Sequence, residues 1–129
     1  MTSAASTIDF DHFAADWIAA WNAHDLDMIL SHYTDDVELV SPNAVRLTGD
    51  SSGTVMGKAA LRDYFSRALA SQSDLRFALV RIYSGVNSLC LEYERHDNRR
   101  GAEVMEFADD GRIRRVVAHY APMQTRPSP

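Results

Sequence analysis

Hydrophobic residues near the start of the chain recur at steps of three and four, which is the spacing of one face of an α-helix. The stripe consists of Phe10, Phe13, Ala14, Trp17 and Trp21. Ser6 and Asp9 stand just before it at the spacing of a capping box, in which a hydroxyl and a carboxyl close the first helical turn. The pattern predicts a first helix that begins near Ser6 and buries both tryptophans.

Two further segments also have helical spacing. Asp25 is placed to cap a short second helix, which ends in the polar run 34–36. The buried side of this second helix is predicted to comprise Leu26, Ile29, Leu30 and Tyr33. A third helix is predicted after Gly57, with the apolar stripe Leu61, Tyr64, Phe65, Ala68 and Leu69.

The remaining segments alternate between apolar and polar residues with period two, as strands do. The first strand, 37–41, ends at Pro42, which cannot donate a ladder hydrogen bond. A long polar loop is predicted over 43–53, followed by a short strand over Thr54–Met56. Further strands are predicted near 75–84, 88–95, 102–108 and 113–121, separated by hairpin turns at 85–87, 97–101 and 109–111.

The order of these elements is helix, helix, strand, helix and then a four-strand meander. No strand–helix–strand alternation occurs, so a doubly wound parallel sheet is not expected. The order predicts an α+β fold, in which a strongly curved, mixed and mostly antiparallel sheet packs on three helices. A curved sheet that its helices do not fill leaves an internal apolar pocket. We expect one domain over 1–129, with flexible ends at 1–7 and 123–129.

The composition of the chain indicates which classes of binding partner are not expected. The chain has 129 residues, 46% of them hydrophobic, and a net charge of -5, which disfavours binding to the phosphates of nucleic acid. Cys90 is the single cysteine, which predicts a reducing, cytoplasmic environment. The sequence predicts no membrane segment, no metal site and no cofactor.

Four segments resemble the nuclear transport factor 2-like superfamily of cone-shaped α+β barrels, which includes SnoaL-like polyketide cyclases and ketosteroid isomerases. They are WIAAWNAHDLD at 17–27, YTDDV at 33–37, GKAALRDYF at 57–65 and EFADDGRI at 106–113. The resemblance implies a small hydrophobic ligand and a homodimer formed through the outer sheet face, which carries Glu92, Glu94, Glu106 and Arg115. It does not fix the reaction, because this fold hosts several enzyme classes and non-catalytic binding domains.

Comparison with the ketosteroid isomerases assigns candidate roles to three residues. Trp17 stands where those enzymes carry an oxyanion-binding tyrosine, and Ser41 where they carry the aspartate base. Since a serine without a helper is no base at neutral pH, ketosteroid isomerisation is not expected. Glu103 stands where they hold a protonated aspartate, and it is the candidate acid or base.

The sequence leaves the orientation of Glu103 open. Glu103 shares one strand face with Met105 and Phe107, which favours a position inside the sheet. The alternative is an ion pair with Arg95 or Arg100 at the sheet edge. A bulge in the last strand would turn His119 into the pocket and give a Glu103–His119 acid/base pair.

A hydrolase that activates water with two acids and an arginine would use Glu103 and Arg95, but the sequence offers no obvious inward second acid.

Strand parity and the resemblance together predict which residues contact the ligand. They are Trp17, Trp21, Tyr33, Leu39, Ser41, Phe65, Leu91, Tyr93, Met105, Val116 and Tyr120. Two hypotheses follow. The first is a cofactor-independent isomerase, dehydratase, cyclase or hydrolase that uses Glu103; the second is a non-catalytic ligand-binding or dimeric assembly module.

Overall fold

The first two helices pack side by side at the start of the chain. A computed structural model describes residues 8–122, so the predicted flexible ends lie outside the described residues. Helix α1 spans Phe10–Asn22 and is capped by Asp9, whose carboxylate accepts a hydrogen bond from the His12 amide at 3.1 Å. The helix therefore begins after Asp9, and Ser6, the predicted partner in a capping box, lies outside the described residues. Asp25 caps helix α2 (Leu26–Leu30), as predicted.

Strand β1 begins earlier than the sequence predicted. It spans Tyr33–Val40, so Tyr33 belongs to the strand, and its assignment to the second helix was wrong. Pairing with the last strand places Tyr33 in β1, because Tyr33 lies opposite Ile113 and the Ile113 amide donates to the His32 carbonyl at 2.8 Å. The sheet here overrides the local helical spacing.

A fourth helix, α3 (Pro42–Thr48), replaces the first half of the predicted polar loop. Ser41 caps it by accepting from the Asn43 amide at 3.1 Å, and Pro42 occupies the first turn, where its missing N–H costs nothing. Gly49 ends the helix with a left-handed φ of 78°, which glycine adopts without a steric penalty. Helix α4 (Lys58–Ser71) follows the short strand β2 (Thr54–Met56), and both match the sequence prediction.

The sheet has six strands in the order β2-β1-β6-β5-β4-β3. The last four form the predicted meander: β3 (Phe77–Ser84), β4 (Ser88–Arg95), β5 (Arg100–Phe107) and β6 (Ile113–Tyr120). Strands β1 and β6 pair in parallel and the other neighbours are antiparallel. The predicted fold class, an α+β fold with a curved, mixed and mostly antiparallel sheet, is confirmed, with four helices where three were predicted.

The inner face of the sheet carries the core, and α1 lies over its β3 end. The Asn22 side chain fixes this contact, since its amide donates to the Phe77 carbonyl at 2.9 Å and its oxygen accepts from the Phe77 amide at 2.7 Å. A side chain that satisfies both groups of one strand residue replaces a missing sheet neighbour. None of the described helices has the length and apolar character needed to cross a membrane.

Candidate functional site

A small cavity lies between the sheet and α4, and we call it the Glu103 cavity. Its volume open to the centres of water molecules is about 50 Å³. One water molecule needs roughly 10–15 Å³ of such space, so the cavity holds a few waters or a small organic group. Its wall is formed by Trp21, Leu39, Ser41, Asn43, Tyr64, Phe65, Ala68, Gln72, Leu75, Phe77, Tyr93, Arg95, Glu103, Ala118 and Tyr120.

Glu103 faces inward from β5 and is only 8% exposed. It lies opposite Leu91 on β4 and Ala118 on β6, and the Tyr93 hydroxyl donates a hydrogen bond to its Oε2 at 2.8 Å. The alternative of an ion pair at the sheet edge is therefore wrong.

The two arginines proposed for that ion pair have other partners. The Arg95 guanidinium lies 3.4 Å from Asp97, and that of Arg100 lies 3.3 Å from Glu92.

Burial changes the acidity of Glu103. Removal from water disfavours the ionised form and raises the pKa of Glu103 to about 7, although the hydrogen bond from Tyr93 opposes this rise. A carboxyl with this pKa is protonated in about half of the molecules at neutral pH, so it can either accept or donate a proton.

The tyrosines around Glu103 remain protonated at neutral pH. Burial raises the pKa of Tyr120 to about 12, and the charge of Glu103 contributes to the rise. The pKa of Tyr93 rises for the same two reasons, burial first. These phenols therefore serve as hydrogen-bond donors rather than bases.

Ser41 is 3% exposed and lies at the junction of β1 and α3. Ser41, Tyr64 and Tyr120 all line the cavity, and Ser41 lowers the pKa of both tyrosines, although burial raises both more strongly. Ser41 thus combines the capping of α3 with a polar contact in the cavity wall.

The predicted ligand contacts divide into two groups. Six lie in the cavity wall beside Glu103: Trp21, Leu39, Ser41, Phe65, Tyr93 and Tyr120. Five lie in the closed part of the core, away from the wall: Trp17, Tyr33, Leu91, Met105 and Val116. Trp17 Nε1 donates to the Tyr33 hydroxyl at 3.0 Å, so this pair binds itself rather than a ligand oxygen.

His119 does not enter the cavity. It is exposed on the outer face of the sheet, with Nδ1 3.2 Å from the Val117 carbonyl oxygen. A register shift does occur between β5 and β6, but it lies near Phe107 and leaves Val116 and Ala118 facing inward. The predicted pairing of His119 with Glu103 is therefore wrong.

A wider, polar space adjoins the Glu103 cavity, and we call it the vestibule. Its volume is about 540 Å³, and its lining consists of Pro42, Asn43, Arg46, Ser71, Gln72, Arg95, Asp97, Arg99 and Tyr120. Four residues line both spaces, namely Asn43, Gln72, Arg95 and Tyr120. These four side chains therefore lie between the cavity and the vestibule.

Three residues that border the cavity were not predicted as ligand contacts: Asn43, Gln72 and Arg95. Asn43 lies on α3, which was expected to be a loop. Arg95 has the same strand parity as Leu91 and Tyr93, so an inward position could have been inferred, but its charge suggested the sheet edge. Within the described part of the chain, no group of three or more histidine, cysteine, aspartate or glutamate side chains could hold a metal ion.

The chain resembles known proteins in both sequence and fold. Residues 14–116 match the family model of the SnoaL-like domain. A SnoaL-like protein of unknown function from Burkholderia thailandensis is 41% identical over 86% of this chain and 92% of that chain, with a TM-score of 0.83. None of the curated proteins compared with the chain matched it.

More distant structures share the fold alone. An NTF2-like protein of unknown function from Cytophaga hutchinsonii is 12% identical over 91% of this chain and 94% of that chain, with a TM-score of 0.67. TerC, crystallised with polyporic acid, is 18% identical over 86% of this chain and 91% of that chain, with a TM-score of 0.70.

Proposed function

Because the chain belongs to the SnoaL-like family of the nuclear transport factor 2-like superfamily, we propose that it binds a small, largely hydrophobic molecule at the Glu103 cavity and exchanges a proton with it. The observation that carries this proposal is the buried carboxyl of Glu103, whose pKa of about 7 suits acid/base chemistry at neutral pH. No cofactor is invoked, since the proton transfer needs only this group.

The groups around Glu103 support this role. Tyr93 donates to one oxygen of the Glu103 carboxyl and thereby holds this group in position in the cavity wall. The Trp21 indole lines the cavity and offers the ligand an apolar surface. The ligand would pack on this ring while Glu103 removes or adds a proton.

The size of the cavity determines how the ligand lies. A space of about 50 Å³ accepts only the end of a molecule, whereas pockets for drug-sized ligands measure several hundred Å³. The reacting end would therefore enter the Glu103 cavity, and the remainder would lie in the vestibule.

Binding is tested with N-phenyl-1-naphthylamine, an uncharged dye that fluoresces in apolar surroundings. Leucine at position 118 would fill the cavity, so the Ala118→Leu variant should bind the dye at least about tenfold more weakly. The matched control is Ala102→Leu on the outer face of β5, which should bind like the unmodified protein. Circular dichroism checks that both variants fold. Absence of dye binding, or equal binding by both variants, would refute a ligand site at this position.

Proton transfer is tested with cyclopentanone, a small apolar ketone with exchangeable α-protons. The protein in D₂O should accelerate their replacement by deuterium, observed by proton NMR, and Glu103→Gln should remove the acceleration. If the dye binds but no α-proton exchange is catalysed, the non-catalytic binding module is the better description.

An assembly role is the second candidate, and a specific feature of the outer sheet face favours it. Five apolar side chains lie opposite one another across successive strands: Tyr83, Cys90, Val104, Val117 and Val40. We call them the outer apolar row, and all five are at least partly exposed. A second copy of the chain, related by a two-fold axis, would bury the row against itself.

Charged side chains beside this row form ion pairs within one chain. Glu106 lies 3.1 Å from Arg114 and 3.4 Å from Arg115, and Arg115 lies 3.6 Å from Glu38. The apolar contact would therefore drive dimerisation, with the ion pairs at its rim.

Light scattering tests the dimer. We expect the mass of two chains for the unmodified protein and of one chain for Val104→Glu, because a charge would enter the outer apolar row. Val86→Glu, in the exposed β3–β4 turn, should remain dimeric. A monomer in the unmodified protein, or a dimer in Val104→Glu, would contradict this interface.

We also propose a cytoplasmic location, which the single thiol of Cys90 supports, since one chain cannot form an internal disulfide. Fractionation of the source cells followed by immunoblotting should detect the protein with cytosolic markers; detection outside the cytosol would refute the proposal.

A further inference from the structure

We propose that the ligand is an organic anion, with a carboxylate held in the vestibule by Arg95 and Arg99 and an apolar body directed toward Glu103. This inference rests on the proposed function, because it assigns the chemical class of the molecule that enters the same site.

The first observation is the burial of Arg95. Its side chain is only 9% exposed and lines both the Glu103 cavity and the vestibule. One terminal nitrogen donates to the Gln72 amide oxygen, and Nε lies 3.4 Å from an Asp97 carboxylate oxygen without forming a hydrogen bond within the described residues. A guanidinium has five N–H donors, and leaving several of them without hydrogen bonds in a buried position is costly. A carboxylate in the vestibule would use these donors.

The second observation is that a second guanidinium accompanies the first. The Nε of Arg99 is also buried without a partner among the described residues. The guanidinium carbons of Arg95 and Arg99 lie 5.9 and 5.8 Å from the centre of the Tyr120 ring, which separates the vestibule from the cavity. Both guanidinium groups therefore lie beside the same aromatic ring, which borders the cavity and the vestibule.

The third observation is the charge of the vestibule. Its lining contains the arginines 46, 95 and 99 but only one acidic residue, Asp97. The whole chain, in contrast, carries a net charge of -5. Cations gathered in the concave part of an acidic protein attract anions to that part. The planar forks of guanidinium groups also match the two oxygens of a carboxylate.

These features determine the orientation of the ligand. Glu103 at the inner end of the site would repel a second carboxylate, whereas the cavity wall around it is largely apolar. The anionic group therefore stays among the arginines, and the apolar end approaches Glu103. The vestibule would select organic acids over neutral molecules of the same shape.

The test compares octanoate with octanamide, which share a chain length but differ in charge. Each is added to the protein with bound N-phenyl-1-naphthylamine, and the loss of dye fluorescence gives its affinity. Octanoate should displace the dye at a concentration at least about tenfold lower than octanamide. The double variant Arg95→Met/Arg99→Met, which keeps the apolar stems but removes both charges, should abolish the preference.

Arg81→Met is the matched control, since Arg81 lies on an exposed part of β3 outside the vestibule. It should retain the preference for octanoate. If the double variant fails to fold, Arg99→Met alone should reduce the preference severalfold.

The outcomes separate the two proposals. If the unmodified protein binds the dye but octanoate displaces it no better than octanamide, the inference is overturned and the proposed function stands. A preference that Arg81→Met lowers as much as the vestibule variants would also overturn it, because general attraction to the surface would then explain the result. Failure of the dye to bind would remove the proposed function and the inference with it.

Discussion

Glu103 is 8% exposed on the inner face of the sheet, and its burial raises its pKa to about 7. Its inward orientation follows from strand parity, because Met105 and Phe107 on the same face are buried. The pKa depends on neighbours from other strands, including Tyr93, whose hydrogen bond opposes the effect of burial. Strand parity gives a direction for one side chain, whereas acidity requires the complete surroundings.

The raised pKa of Glu103 should make folding stability depend on pH. The folded protein keeps the proton up to about pH 7, while the unfolded chain releases it near pH 4.5, so stability falls as pH rises between these values. The shift corresponds to about 3 kcal/mol in the free energy of unfolding.

Urea denaturation of the unmodified protein and of Glu103→Gln measures this effect. Relative to the variant, the unmodified protein should lose about 3 kcal/mol of stability between pH 4 and pH 8. Parallel pH profiles for the two proteins would show that Glu103 titrates normally.

At the scale of elements, the sequence predicted long alternating segments better than short ones. The four meander strands lie within two residues of their predicted bounds, because apolar and polar residues alternate along them. Helix α3 was missed since it has seven residues, of which only Ala44 is buried. Its end signals, Ser41 and Gly49, are also common in loops, so the polar composition dominated the prediction.

A glycine in β5 makes room for the Tyr93 ring. Gly101 lies opposite Tyr93, and a Cβ atom at position 101 would approach the Tyr93 Cζ and hydroxyl oxygen to 2.8 Å. Only a residue without a side chain allows the Tyr93 ring to cross β5 and reach Glu103.

Gly101→Ala should therefore displace Tyr93 and destabilise the protein by about 1–3 kcal/mol, measured by urea denaturation. In a Tyr93→Leu background the same substitution should cost less than about 0.5 kcal/mol, because the clashing ring atoms are gone. Equal costs in the two backgrounds would show that Gly101 serves another purpose.

At the scale of the whole molecule, the superfamily was predicted from four segments and is confirmed, but the size of the cavity was not predictable. Aromatic rings fill much of the space under the sheet: Trp17 stacks on Phe77 at 5.8 Å, and Phe77 lies 4.3 Å from Tyr93. How closely such rings interlock depends on side-chain conformations that no residue pattern specifies. The vestibule was not predictable either, because its residues come from α3, α4, β4 and β6 and from the segments that follow α4 and β4.

The central claim is that the interior of this molecule holds a carboxyl poised to exchange a proton at neutral pH. Carbon-13 NMR of protein labelled at the glutamate carboxyl carbon tests it directly, with Glu103→Gln identifying the resonance. We predict a titration midpoint for Glu103 near pH 7. A midpoint near 4.5, the ordinary value for glutamate, would contradict the account.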